Sequence, residues 1–317
     1  MNRSRIEKMD FTALQVFKAV ADEGGISAAA RKLHRVQSNV TTRIKQLEAS
    51  LGAELFVRSG GRLHLSPAGA EFRRHVEELL RLAERAREAV RGDAPRGVLR
   101  LGTLESTAAS RLPPLLARYH AHHPAVRVEL STATTDALLE ALRARRIDAA
   151  FAADCAADPQ LEAVPAFDEE LVLVAPRSHP SVRRPRDVQA DTLIAFPAGC
   201  AYRRRCQGWL ADGGVAPAKV LELASYHAIV ACVASGTGIA FAPRSVLETI
   251  RRTEEVAIHP LGARRGASVT SLVWRRGEQS LALKALRAEL AALSSDRRPA
   301  PSARRRPARL PRRASRT

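Results

Sequence analysis

Apolar residues recur at helical spacing along the first fifty positions. Phe11, Leu14, Phe17, Val20 and Ala21 share one face of a helix over residues 10–24, which Gly24 and Gly25 end. A short Ala-rich segment, AAARKL, follows, with Ser27 placed to cap it, and stops near His34. From about Gln37 to Leu51 a third helix would bury Val40, Ile44, Leu47 and Leu51 and finish at Gly52. Three short helices joined by tight turns, the second small enough for backbones to approach closely, predict a helix-turn-helix. The period then changes. In LFVRSGGRLHLS two alternating runs flank Gly60-Gly61, the pattern of a hairpin, and a basic hairpin in this position is a wing.

Ser66-Pro67 opens the next helix, a capping oxygen followed by Pro at the first helical position. Its apolar residues Phe72, Val76, Leu79, Ala83, Ala86 and Val90 fall at alternating spacings of four and three, a heptad seam among mixed charges. Such a seam predicts dimerisation through residues 67–91; the competing reading is a helix packed on its own domain. GDAPRG at 92–97 is a linker.

From Val98 short β-rich runs alternate with amphipathic helices: VLRLG, a helix over SRLPPLLARYHAHH, VRVELS, a helix over DALLEALRARR, then IDAAFAA. ELVLVAP near 170–176 begins a second series, with LIAFP, a helix from about Ala201, VLELA, a helix from about Tyr226, and GIAFAP. SVTSLVW and a last helix over 279–293 return the chain. This alternation predicts two α/β lobes with largely parallel sheets, joined by crossing strands around a cleft.

Composition sharpens this picture. The 317 residues carry a formal net charge of +18, unevenly spread: residues 297–317 hold nine Arg and no acidic residue. That tail combines Pro, Ser and Arg without a periodic apolar face and is expected to be disordered, adding salt-sensitive affinity for nucleic acid. Residues 1–66 are also basic and the middle is nearly neutral, as a DNA module joined to a different domain would be. The N-terminus has no apolar signal segment and no run is long enough to span a membrane, so a cytoplasmic protein is expected. Cys155, Cys200, Cys206 and Cys232 fit no metal-ligand spacing, and no metal or cofactor is expected. Walker, HExxH and GxSxG patterns are missing, which argues against an enzyme.

The stretch MDFTALQVFKAVADEGGISAAARKLHRVQSNVTTRIKQLEASLGAELFVRSGGRLHLSPAG resembles the winged helix-turn-helix of the LysR-type transcriptional regulators along its whole length. The resemblance extends over residues 9–294. It implies an α/β effector domain of two Rossmann-like lobes, like periplasmic solute-binding proteins, behind the winged helix-turn-helix and a long linker helix. It also implies dimers of dimers and a co-inducer in the inter-lobe cleft. Many relatives carry Ser or Thr where Val36 stands, so a capping hydroxyl is lacking there, and Gln37 or Ser38 is expected to substitute.

On the third helix Gln37, Ser38, Asn39, Thr41, Thr42, Arg43 and Lys45 form a polar face, with Glu48 beside it. Asn and Gln can pair with adenine edges and a Thr methyl can meet thymine's methyl. Arg43, Lys45, and Arg58 and Arg62 on the wing are expected on phosphates, with Ser27 and Arg31 of the second helix joining the DNA-binding set. In the effector lobes two loops each follow a strand and open a helix, leaving free backbone N–H groups. One contributes Thr103, Glu105, Ser106 and Thr107, the other Gly199, Cys200, Tyr202 and Arg203; His227 opens a further helix. Arg203 would suit a carboxylate, and Glu105, if it points inward, an amine, so the expected effector is a small carboxylate or amino acid. Cys200 beside Arg203, Arg204 and Arg205 sits where a thiol pKa would fall, which makes a redox-responsive regulator the alternative.

The expected organisation is a winged helix-turn-helix over 1–66, a linker helix over 67–91, and a two-lobed effector domain over 92–296. Lobe I would comprise about 97–168 and 268–296, lobe II about 169–267, and a tail 297–317. The expected partners are double-stranded DNA, a small effector and a second copy of the chain, with RNA polymerase an open further one. Outside regulation, the two lobes alone would fit a solute-binding protein, and the basic tail an architectural DNA-coating protein.

Overall fold

The computed structural model describes residues 9–90 and 94–296; the Arg-rich tail expected to be disordered lies outside them. The chain divides between Ala94 and Pro95 into two compact units.

In the first unit α1 (Phe11–Glu23), α2 (Ile26–Lys32) and α3 (Gln37–Leu51) precede a hairpin of β1 (Phe56–Ser59) and β2 (Arg62–Leu65) and the long helix α4 (Pro67–Val90). Leu14, Phe17, Val20, Ala29, Ala30, Val40, Ile44, Leu47, Leu55 and Val76 bury one common core. The turn between α2 and α3 is closed by His34 in left-handed backbone (φ 52°), with His34 and Arg35 N–H groups bonded to Arg31 and Ala30 carbonyls. Gly60 and Gly61, both at positive φ, join the hairpin, in which Ser59 pairs with Arg62.

Several local expectations are corrected. Gly25, not Ser27, precedes α2, and Ser27 lies exposed in its first turn. Phe11 and Leu51, expected to be buried, are exposed. Neither Gln37 nor Ser38 supplies the missing cap: α3 starts on Val36 with no side-chain hydrogen bond. The seam on α4 is split. Phe72 and Val76 pack into this unit's own core, whereas Leu79 is exposed, as is Leu82 one turn on.

The second unit is built on a nine-stranded mixed sheet. β3 (Gly97–Thr103), α5 (Glu105–Ser110), α6 (Leu112–His122), β4 (Val126–Thr132), α7 (Thr135–Arg143) and β5 (Ala149–Ala153) form the first lobe. β6 (Leu161–Pro176) then crosses into the second lobe. That lobe holds β7 (Thr192–Ala195), α8 (Ala201–Asp212), β8 (Lys219–Glu222), α9 (Tyr226–Ala234), β9 (Ile239–Pro243), α10 (Arg244–Leu247) and β10 (Val256–Pro260). After α11 (Ala263–Gly266), β11 (Ala267–Arg275) and α12 (Leu281–Asp296) return to the first. The order is β4-β3-β5-β11-β6-β9-β7-β8, with β10 beside β6.

Parallel pairing is confined to β3–β4, β3–β5, β7–β8 and β7–β9; every ladder of β6, β10 and β11 is antiparallel. The expectation of a largely parallel sheet is therefore corrected, for a physical reason. A strand that serves both lobes must run on without a helical crossover, and β6 does so for 16 residues: its first half pairs with β11, its second with β9 and β10. Sequence reading placed the strand only from about 170, and β10 was not anticipated. Leu101, Phe151, Tyr119, Trp274 and Leu286 centre one lobe's core, and Val174, Ile194, Val230 and Ala240 the other's. A third cluster joins Leu138, Leu142, Ala152 and Val273 of the first lobe to Cys200, Ala201 and Tyr202 of the second.

Candidate functional site

Two surfaces carry the chemistry. The first lies on α3. Burial of Val40, Ile44 and Leu47 turns Gln37, Ser38, Asn39, Thr42, Lys45 and Gln46 outward, all exposed, as are Arg31 on α2 and Arg58 and Arg62 on the hairpin. Val36, Ser38, Asn39, Thr42, Arg43 and Gln46 line a shallow concavity of about 480 Å³ that contains no acidic residue. Gln46 was not singled out from the sequence, although it lies one turn beyond Thr42 on the same face. Three side chains are partly committed. Thr41 donates back to the Gln37 carbonyl at 2.9 Å. Arg43 Nη1 donates to Asp10 at 3.0 Å. Glu48 is turned inward, accepting the N–H groups of Leu55 and Phe56 at 2.8 and 3.2 Å, so it positions the hairpin and does not join the polar face.

The second surface is the junction of the lobes. Gly199 adopts φ +87°, and a Cβ there would stand 3.0 Å from Thr134 Oγ1 across the cleft. Its carbonyl accepts the Asp136 N–H at 3.2 Å, so the loop before α8 sits directly on the start of α7. Tyr202 is buried, its hydroxyl 3.3 Å from Thr270 Oγ1 and facing Ser106. Burial pushes this phenol well above its ordinary range. Tyr202, expected to face an effector, is instead turned onto Thr270 inside the junction. Thr103 is fully buried and its hydroxyl contacts only the Leu104 carbonyl, at 3.1 Å.

Glu105 reaches across the cleft. The backbone N–H of Tyr226, at the start of α9 in the other lobe, faces this carboxyl and favours its charged form. Its second oxygen, Oε2, is buried without a partner, and so is the hydroxyl of the fully buried Thr107 two residues on. An unsatisfied buried polar group costs about 1–3 kcal/mol, more for a charged one. Burial accordingly raises the Glu105 carboxyl above its usual range, opposed by the Tyr226 N–H and by His227. His227 itself is exposed on the first turn of α9.

The three arginines after Tyr202 are not available to a ligand carboxylate in this arrangement. Arg203 donates to the Phe196 carbonyl at 3.0 Å and to Glu222 at 2.5 Å. Arg204 pairs with Asp136 at 2.8 Å, and Arg205 with Asp154 at 2.8 and 2.9 Å. Arg203 and Arg204 still favour the Cys200 thiolate, but burial outweighs them. That thiol is buried beside a cavity of only about 10 Å³, about the room one water needs, and its pKa is raised by burial, not lowered. Cys206 is raised further, and Cys155 to about 11.

One group of residues escaped sequence reasoning. At the strand crossing, a cavity of about 600 Å³ is lined by Arg111, Asp168, Glu169, Glu170, Arg244, Ser245 and Glu248, among others. Glu169 has a side chain only 2% exposed, yet it is fully partnered. It accepts from Arg111 at 2.8 and 3.2 Å and from the Ser245 hydroxyl at 2.6 Å. Period two along β6 puts Glu169 on the side of Phe167 and Leu171, a buried carboxylate that strand alternation reveals once the strand is extended back to 161.

Among the described residues no helix is long and apolar enough to cross a membrane, and no His, Cys, Asp or Glu cluster has metal-site geometry. Residues 11–70 match the family described as bacterial regulatory helix-turn-helix protein, lysR family, and residues 92–294 match the LysR substrate binding domain. The chain is 36% identical over 283 residues to the HTH-type transcriptional regulator GltR of Bacillus subtilis (strain 168), covering 89% of this chain and 95% of that one. It is 35% identical over 255 residues to YofA of Bacillus velezensis, covering 80% and 87%. The crystal structure of full-length CbnR complexed with its target DNA superposes with a TM-score of 0.67 at 29% identity, over 90% of this chain and 99% of that one. With a family helix-turn-helix at its start and a family effector-binding domain over the rest, the chain belongs to the LysR-type, DNA-binding transcriptional regulators.

Proposed function

We propose that this regulator responds to a small molecule bearing a cationic nitrogen, an amino acid or similar zwitterion, held between the lobes beside Glu105. One observation carries the reading: Glu105 faces the start of α9 in the other lobe, and its Oε2 is buried and unpartnered. An ammonium group offers three donors and a full positive charge, which suits the unpartnered Oε2. Arg203 is committed to Glu222, so the reading rests on the cationic end of the ligand. Since Glu105 and Tyr226 belong to different lobes, a ligand on Glu105 changes what holds the lobes closed, which couples binding to shape.

On the DNA side, Gln37, Ser38, Asn39 and Thr42 read base edges from the exposed face of α3. Arg31, Lys45, Arg58 and Arg62 bind phosphate. Two copies associate through the exposed stretch of α4 at Leu79, Leu82 and Ala86.

A thermal-shift screen of the full chain against amino acids, amines and plain carboxylates tests the effector. An amino acid is expected to raise the melting temperature, and Glu105→Gln to remove that response. A response confined to plain carboxylates, unchanged in Glu105→Gln, would overturn the assignment.

A further inference from the structure

Val36 occupies a position that its chemistry does not suit. It is the residue on which α3 begins, with extended backbone (φ −77°, ψ 148°), and its carbonyl accepts the N–H groups of Asn39 and Val40 at 3.1 and 3.3 Å. A helix start favours Ser, Thr, Asp or Asn, whose side-chain oxygen takes up one of the orphan N–H groups, and Val is among the poorest residues there. Here no side chain supplies that oxygen. Packing gives no compensation, since Val36 is 69% exposed, more than any other exposed large hydrophobic residue described. The local fold thus gains neither a cap nor a buried surface from this side chain.

Its surroundings indicate what the isopropyl group meets. Val36 lines the same concavity as Ser38, Asn39, Thr42, Arg43 and Gln46, at the N-terminal end of the helix. In a helix-turn-helix that end enters the major groove first. The concavity is polar and free of acidic residues apart from this one apolar wall, which suits a surface of base edges and phosphates. The major groove displays a single apolar group, the 5-methyl of thymine. Asn39, one turn from Val36, has the amide geometry that pairs with adenine.

We infer that Val36 is a specificity-determining residue that packs against a thymine methyl in the major groove, beside the base read by Asn39. The inference rests on the DNA-reading role of α3 given above.

The test uses the full chain and its own preferred site, obtained by selection from random duplex DNA. Each thymine of that site is then replaced in turn by deoxyuridine, which removes only the methyl group. For the wild type, one such replacement should weaken binding by about three- to fivefold, the value of one buried methyl. In Val36→Ser the same replacement should change Kd by less than about 1.5-fold, because the apolar partner is gone. Ser is a better cap, so this variant should melt no lower than the wild type. Val36→Thr, which keeps one methyl, should fall between the two. A methyl dependence of equal size in wild type and Val36→Ser would overturn the inference while leaving DNA recognition by α3 intact. So would the absence of any methyl-sensitive thymine. Failure to enrich any consensus would overturn the DNA-reading assignment itself, and the inference with it.

Discussion

Asp10 and Arg43, 33 residues apart, are joined by a single carboxylate that serves two helices. Oδ1 accepts the Ala13 N–H at 2.7 Å and so caps α1, while Oδ2 accepts from Arg43 Nη1 at 3.0 Å. The pair fixes the first turn of α1 against the middle of α3. Arg43 is thereby held against the start of α1, and it helps to position α3.

The two functions of Asp10 separate by substitution. Asp10→Asn keeps an oxygen for the cap and loses the ion pair, which is half exposed and worth about 0–1 kcal/mol. Asp10→Ala loses both and should cost about 1–2 kcal/mol of unfolding free energy. Urea denaturation of the two variants checks the order. Equal destabilisation would mean that the cap contributes nothing.

Much of this was legible from the chain itself. The three helices and the hairpin follow from Val40, Ile44, Leu47 and Gly60-Gly61, because short-range periodicity and turn chemistry decide them. The split of the α4 seam was not. Phe72, Val76 and Leu79 have the same spacing, and only the tertiary packing of Phe17 against Phe72, ring centroids 5.0 Å apart, assigns the first two inward. The cleft loops were legible as loops, yet the fate of Arg203, Arg204 and Arg205 was not. Their partners Glu222, Asp136 and Asp154 are set by topology, which no local window contains. Cys200 shows the same limit: basic neighbours in sequence suggested an activated thiol, while burial outweighs them and raises its pKa.

The α4 seam yields a paired test. Val76 is fully buried in its own unit, so Val76→Ala should lower stability by about 1–3 kcal/mol without changing the oligomeric state. Leu79 is exposed, so Leu79→Asp should leave the unfolding transition nearly in place and convert the protein to monomers. Light scattering alongside chemical denaturation distinguishes the two. A Leu79→Asp protein that remains dimeric would assign association to other surfaces.

The thiols make a kinetic prediction. Cys200 and Cys206 are buried and held in the protonated form, so neither should react with a disulfide reagent in the native protein at neutral pH. All four cysteines should react after denaturation. Mild peroxide should leave DNA binding unchanged, and Cys200→Ser should behave as wild type. Rapid native-state labelling of Cys200, or a peroxide effect that Cys200→Ser removes, would make this chain a redox sensor.

Glu105 should leave a signature in the pH dependence of stability. Its carboxyl is raised by burial, so the folded protein holds that proton more tightly than the unfolded chain does. Between the ordinary carboxylate pKa and the raised folded value, stability must therefore fall as pH rises. Above both values the ionised, half-satisfied group is a standing cost. Glu105→Gln removes that cost, so the variant should melt higher than wild type at pH ~7.5. The gap should close toward about pH 4, where the wild-type carboxyl is protonated as well. Comparing the two proteins at each pH cancels the titration of every other group that the substitution does not touch. An amine-bearing effector should close the same gap at neutral pH by raising only the wild type, since a positive charge on Oε2 replaces the missing proton. A pH-independent difference, or a variant less stable than wild type throughout, would mean that Glu105 is already satisfied in the folded protein and does not await a ligand.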